Sequence, residues 1–97
     1  MTPSTSGDET VVITLHGRLD TIACTAAEAD ILNQVRSARG PVVFDMKAVD
    51  YVSSGFLGMC LKAVESAGAD NFALIHVHPE IKKVLKIARL DQLIRIR

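Results

Sequence analysis

Residues 42–59 read Val42-Val-Phe-Asp-Met-Lys-Ala-Val-Asp-Tyr-Val-Ser53-Ser54-Gly55-Phe-Leu-Gly58-Met59, and the order of residue types there decides the fold. A β-branched run ends at Asp45, a short connection follows, and two serines and a glycine open an apolar helical pattern. Strand, turn and helix start thus occur within eighteen residues. Helix starts favour negative charge, because the first N–H groups lack partners and the macrodipole is positive there. A serine at that point can cap the helix, bind an anion or accept a phosphate. On spacing alone the cap reading leads, and such a cap stabilises a helix by about 1 kcal/mol. The alternative is an exposed hydroxyl offered to a modifying enzyme or a partner.

Upstream, residues 11–16 alternate. Val11, Ile13 and Leu15 share one face and Val12, Thr14 and His16 the other, as in a half-buried strand. Gly17-Arg18-Leu19-Asp20 ends it. Thr25 with Glu28 three positions on fits a capping box, which predicts a helix over residues 25–38, with a start at Thr21 as the alternative. Its apolar face is Ala27, Ile31, Val35 and Ala38, and Gly40-Pro41 stops it. The second strand is expected over residues 42–46. A second helix is expected from Ser53 or Ser54 to about Gly68, burying Leu57, Cys60 or Leu61, Val64 and Ala67. Residues 72–78 read as a third strand. Pro79 suits the first turn of a third helix with Ile81, Val84, Leu85 and Ala88 inward, and residues 94–97 as a last short strand.

Strands alternating with helices predict an α/β fold of βαβ units, with a mostly parallel sheet. Strands buried on both faces are apolar throughout. Here the first and last strands alternate and Asp45 interrupts the second. The expectation is therefore about three helices mainly on one face, with the other face partly wet. Residues 1–8 read as a flexible leader and residues 9–97 as one domain.

The chain has 97 residues, 48% apolar and 23% charged, which is ordinary globular usage and argues against disorder. Lys plus Arg equals Asp plus Glu, so no overall field directs the chain to nucleic acid or to direct membrane insertion. One Tyr, three Phe and no Trp leave little for base stacking. Cys24 and Cys60 form neither a metal-type nor a redox-type pair in sequence. With no signal peptide or membrane-length apolar run, a reduced, cytoplasmic setting is expected.

His76 and His78 share a strand face if the third strand reaches that far, but spacing supplies no third ligand and no metal is expected. No G-x-S-x-G elbow or phosphate-cradling glycine loop occurs. Lys82, Lys83, Lys86 and Arg89 read as a solvated helix face. Gly55 and Gly58 each cost a helix up to about 1 kcal/mol relative to alanine, which suggests that something approaches this turn closely. Asp20 and Asp45 are expected at the ends of the first two strands, on the rim where helices begin and ligands usually bind.

These features together resemble the STAS domain of bacterial anti-anti-sigma factors (anti-sigma factor antagonists). The resemblance rests on Asp45, on residues 49–58 with the Ser53-Ser54-Gly55 turn, and on Gly17-Arg18-Leu19-Asp20, which matches a G-x-[LI]-D turn. Residues 79–91 look like the family's late helix and residues 94–97 like its closing strand. It implies a STAS-like single domain with a mixed, mostly parallel sheet of four to five strands, no enzymatic activity and no cofactor. The implied partner is an anti-sigma factor that is also a serine kinase of the GHKL type. That kinase would phosphorylate the first serine of the turn, Ser53 with Ser54 as the alternative, and so end the association; a serine phosphatase would restore it. The docking surface would comprise Asp20, Thr21, Ser53, Ser54, Gly55, Leu57 and Gly58, with Gly17 and Asp45 supporting the motif. Val52 stands where the family usually has aspartate. Some STAS domains instead regulate ABC-type lipid transporters or anion transporters without a phosphoserine cycle, and this is the second implication.

Overall fold

The computed structural model describes residues 10–97, and the expected leader at residues 1–8 lies outside the described residues. Strand β1 (Val11–Leu19) runs parallel to β2 (Val42–Val52), in register from Val11 opposite Val42 to Thr14 opposite Asp45. Both strands run beyond the expected residues 11–16 and 42–46. His16 next pairs with Ala48 and Arg18 with Tyr51, so β2 holds an extra residue at two points. Such bulges kink a strand and break its period of two. The buried side chains of β2 are accordingly Val42, Met46, Val49 and Val52 together with Phe44, spaced by two and then by three. Period two loses this strand after Met46. Gly17 lies at the second irregularity with φ +77, a conformation that glycine adopts without a Cβ penalty.

Helix α1 spans Thr21–Ser37, so the earlier of the two starts is the correct one. Asp20, and not Thr25, is its cap: the Asp20 carboxylate accepts the Ala23 N–H at 2.9 Å. Helix α2 (Ser54–Ala67) follows β2, and a 3-10 turn at Ala69–Asn71 leads into β3 (Phe72–Ile75). That strand is shorter than expected because His76, at φ +56, turns the backbone out of the extended region. Helix α3 (Pro79–Ile87), a 3-10 turn at Leu90–Gln92 and β4 (Arg95–Ile96) complete the described chain. The four strands lie in the order β1-β2-β3-β4 with every pair parallel. Among the described residues, the sheet is therefore wholly parallel and not mixed.

One core unites the sheet and all three helices, with Ile13, Leu15, Phe44, Met46, Phe72 and Leu74 pointing into it from the strands. Phe44 sits at its centre, edge-on to Phe72 at 4.7 Å and tilted against Phe56 at 6.4 Å. Val12, Thr14 and His16 stay exposed on the opposite face, the wet side that the alternation predicts. Two helix faces are corrected. Helix α2 buries Phe56, Met59, Cys60 and Ala63, while Leu57 and Val64 are half-buried and Leu61 is exposed. Helix α3 buries Ile81 and Leu85, whereas Val84 and Ala88 face solvent.

Candidate functional site

The junction between β2 and α2 is built around one carbonyl. Leu19 ends β1, and its oxygen accepts both the Ser53 N–H and the Ser53 hydroxyl, each at 3.0 Å. The Cys24 thiol, one turn into α1, donates to the same oxygen at 3.7 Å. Ser53 occupies the N-cap position of α2, and its own carbonyl accepts the N–H groups of Phe56 and Leu57. Its side chain makes no capping bond. The hydroxyl instead ties the start of α2 to the end of β1.

Two helix starts therefore stand side by side. That of α1 is capped by the Asp20 carboxylate; that of α2 receives no side-chain cap. Gly55 marks their contact: a Cβ there would lie 3.5 Å from Thr21 Cα, 3.6 Å from Cys24 Cβ and 3.4 Å from Ser53 Oγ. These are close to ordinary contacts. What approaches Gly55 is thus the first turn of α1, while nothing lies within 4 Å of a Cβ built at Gly58. Thr21 and Ser54 are exposed, and Ser53, Asp20 and Leu57 are half-buried. Ile22 leaves 81% of its surface in water beside them, an unusual place for a large apolar side chain. Further along, Lys62 of α2 pairs with Glu28 of α1 at 2.7 Å.

The structure thus gathers Asp20, Thr21, Ser53, Ser54 and Gly55 at one rim, with Leu57 and Gly58 on the adjoining turn of α2. Gly17 shapes the strand that leads there. Asp45 is elsewhere. Because β2 runs on to Val52, Asp45 lies within the strand at the level where β3 ends, opposite Ile75. Its carboxylate accepts the Lys47 N–H at 3.0 Å and lies 3.0 Å from His76 Nδ1. The Lys47 amide first, and His76 second, hold this carboxyl below its ordinary range. His78 turns to a different partner, the Lys47 carbonyl, at 2.8 Å.

Cys24 is the residue that the sequence reading missed. A helix start at Thr25 leaves Cys24 outside, the alternative start at Thr21 includes it, and Cys24 extends the stripe Ala27, Ile31 and Val35 by one step of three. Burial pushes its thiol up, against a smaller lowering by the Ser53 hydroxyl. Burial also pushes the Cys60 thiol far up. Val52, at the position before the serine, is buried with the core.

Among the described residues, a parallel four-stranded sheet with helices on one face and a serine-glycine turn opening α2 define the class. The family model described as "Mlab, STAS domain" matches residues 4–95, and the chain belongs to the STAS-domain family. A STAS-domain containing protein of Pseudomonas aeruginosa (strain UCBPP-PA14) is 31% identical over 96 residues, covering 97% of this chain and 93% of that protein. Among solved structures, a candidate anti-sigma factor antagonist from Thermotoga maritima superposes with a TM-score of 0.81 at 18% identity, covering 97% of this chain and 83% of that one. The Bacillus cell fate determinant SpoIIAA in its phosphorylated form superposes with a TM-score of 0.66 at 23% identity, covering 97% and 87%. Its unphosphorylated form, described as an anti-sigma factor antagonist, gives 0.64 at 23% identity over 87% and 79%. At these identities the likeness is one of fold.

Proposed function

We propose that the protein is a non-enzymatic interaction module of the anti-sigma factor antagonist type, whose docking surface is the rim formed by Asp20, Thr21, Ser53, Ser54, Gly55, Leu57 and Gly58. The observation that carries this reading is the Ser53 junction, where a half-buried hydroxyl lies between two helix starts and exposed Thr21, Ile22 and Ser54. A partner of the GHKL kinase type would dock there while Ser53 is unmodified. Phosphate on Ser53 carries a charge of about −1.5 to −2. It removes the proton that the hydroxyl donates to Leu19, and it sets a dianion into a contact built for a neutral group beside the Asp20 carboxylate. Like charges across an interface cost several kcal/mol, and each ~1.4 kcal/mol is tenfold in affinity. The start of α2, without a side-chain cap, lets the phosphate be held while the fold stays intact. A serine phosphatase would then reset the module.

The test is incubation of purified protein with a GHKL kinase and ATP, followed by intact mass and peptide mapping. Phosphate on Ser53 and loss of kinase capture support the reading; capture that is indifferent to Ser53→Asp contradicts it.

A second reading is an accessory subunit regulating an ABC-type or anion transporter. Val52 favours it, since its apolar, buried side chain leaves no carboxylate immediately before Ser53. Co-purification with a nucleotide-binding transporter subunit and not with a kinase would select it.

A further inference from the structure

The Leu19 carbonyl has more donors than it needs. A carbonyl oxygen offers two lone pairs, and here three groups converge on it: the Ser53 N–H, the Ser53 hydroxyl and the Cys24 thiol. Two of these stay in place whatever the Ser53 side chain does. The amide is fixed by the backbone, and Cys24 is buried at 3% exposure on the inner face of α1. The hydroxyl is the movable donor. It lies on a half-buried residue and, as observed, points inward to β1 and not outward to solvent.

In this rotamer the hydroxyl is engaged with the protein. If Ser53 is the switched residue, a modifying group reaches its oxygen best once the side chain turns out and gives up Leu19. A partly buried carbonyl that loses a donor normally raises the cost of such a move. We infer that Cys24 is a positioning residue for Ser53: its thiol keeps the Leu19 oxygen satisfied when the hydroxyl turns outward, so that the hydroxyl can be released cheaply. The inference rests on the reading of Ser53 as the switched residue and adds a determinant of how readily it is presented.

The prediction concerns coupling between two side chains and is read without a kinase. Ser53→Ala, Cys24→Ala and the double variant form a cycle in thermal unfolding. Ser53→Ala is expected to lose about twice as much Tm in the Cys24→Ala background as in the parent, because the carbonyl then keeps only the amide. Cys24→Ser, which restores a donor, is expected to bring the Ser53→Ala loss back to its parental size. A cavity effect alone would not respond to that rescue. A spectroscopic readout accompanies it: Ser53 Hα–Hβ couplings show averaged rotamers in the parent and a single inward rotamer in Cys24→Ala. An additive cycle, or couplings unchanged by Cys24→Ala, overturns the role of Cys24. Either result leaves phosphate uptake at Ser53 intact as a separate question, answered by peptide mapping.

Discussion

Ser53 shows what a residue's neighbours add to its type. Two serines before an apolar helix announce a cap, and Ser53 does occupy that position, yet its hydroxyl bonds 34 residues back in the chain to Leu19. No local pattern contains that partner, because it exists only once β1 and β2 lie side by side. Ser53→Ala is expected to lower stability by less than about 1 kcal/mol, the net worth of one hydrogen bond, in chemical denaturation, because the Ser53 N–H and the Cys24 thiol still serve the Leu19 oxygen. The true cap is Asp20, and Asp20→Ala is expected to cost about 0.5–2 kcal/mol by the same measurement. Asp45 carries a pH signature. Its carboxyl is held low in the folded state, so it favours folding above the ordinary aspartate pKa of about 3.9 and loses that contribution as pH falls through the depressed value. In carbon-detected NMR titration, His76→Ala is expected to raise the Asp45 pKa only part of the way to normal, since the larger cause, the Lys47 amide, remains.

At the scale of elements, the type and order of the described strands and α-helices are legible in the sequence, while two faces and several ends are not. Helix α2 is apolar nearly all round: Phe56, Leu57, Met59, Cys60, Leu61, Ala63 and Val64 allow two stripes one residue apart. Periodicity cannot choose between them; the contact of Phe56 with Phe44 across the core does. Phe56→Ala is therefore expected to cost about 3–5 kcal/mol, and Leu61→Ala within about 0.5 kcal/mol of nothing, in urea unfolding. Strand β2 escaped the period-two rule through its bulges, and Asp45 was placed on the wrong part of the strand for the same reason. The glycines of α2 also separate at this scale. Nothing inside the fold occupies the space beside Gly58, so Gly58→Ala is expected to stabilise the protein by about 0.5–1 kcal/mol. A bulkier residue there, such as Gly58→Leu, is expected to weaken partner capture if the docking molecule covers this turn.

Across the whole molecule, the parallel sheet explains why the site could be approached from sequence at all. The parallel pairing of β1 and β2 brings their C-terminal ends to one rim, so Asp20 and Ser53, distant in the chain, are both expected there from sequence. The resemblance named the serine; the fold supplies its surroundings, including the Leu19 carbonyl and Cys24, which no motif marks. Among the described residues, no helix is long and apolar enough to cross a membrane, and the exposed Ile22 lies beside the serines at this rim. On the proposed function, the affinity of this surface is set by the charge at one hydroxyl. The most direct measurement is the affinity of a GHKL kinase partner for the parent, Ser53→Ala and Ser53→Asp proteins, compared side by side. The account predicts retained binding for alanine and at least tenfold weaker binding for aspartate (about 1.4 kcal/mol or more); equal affinity for all three would contradict it.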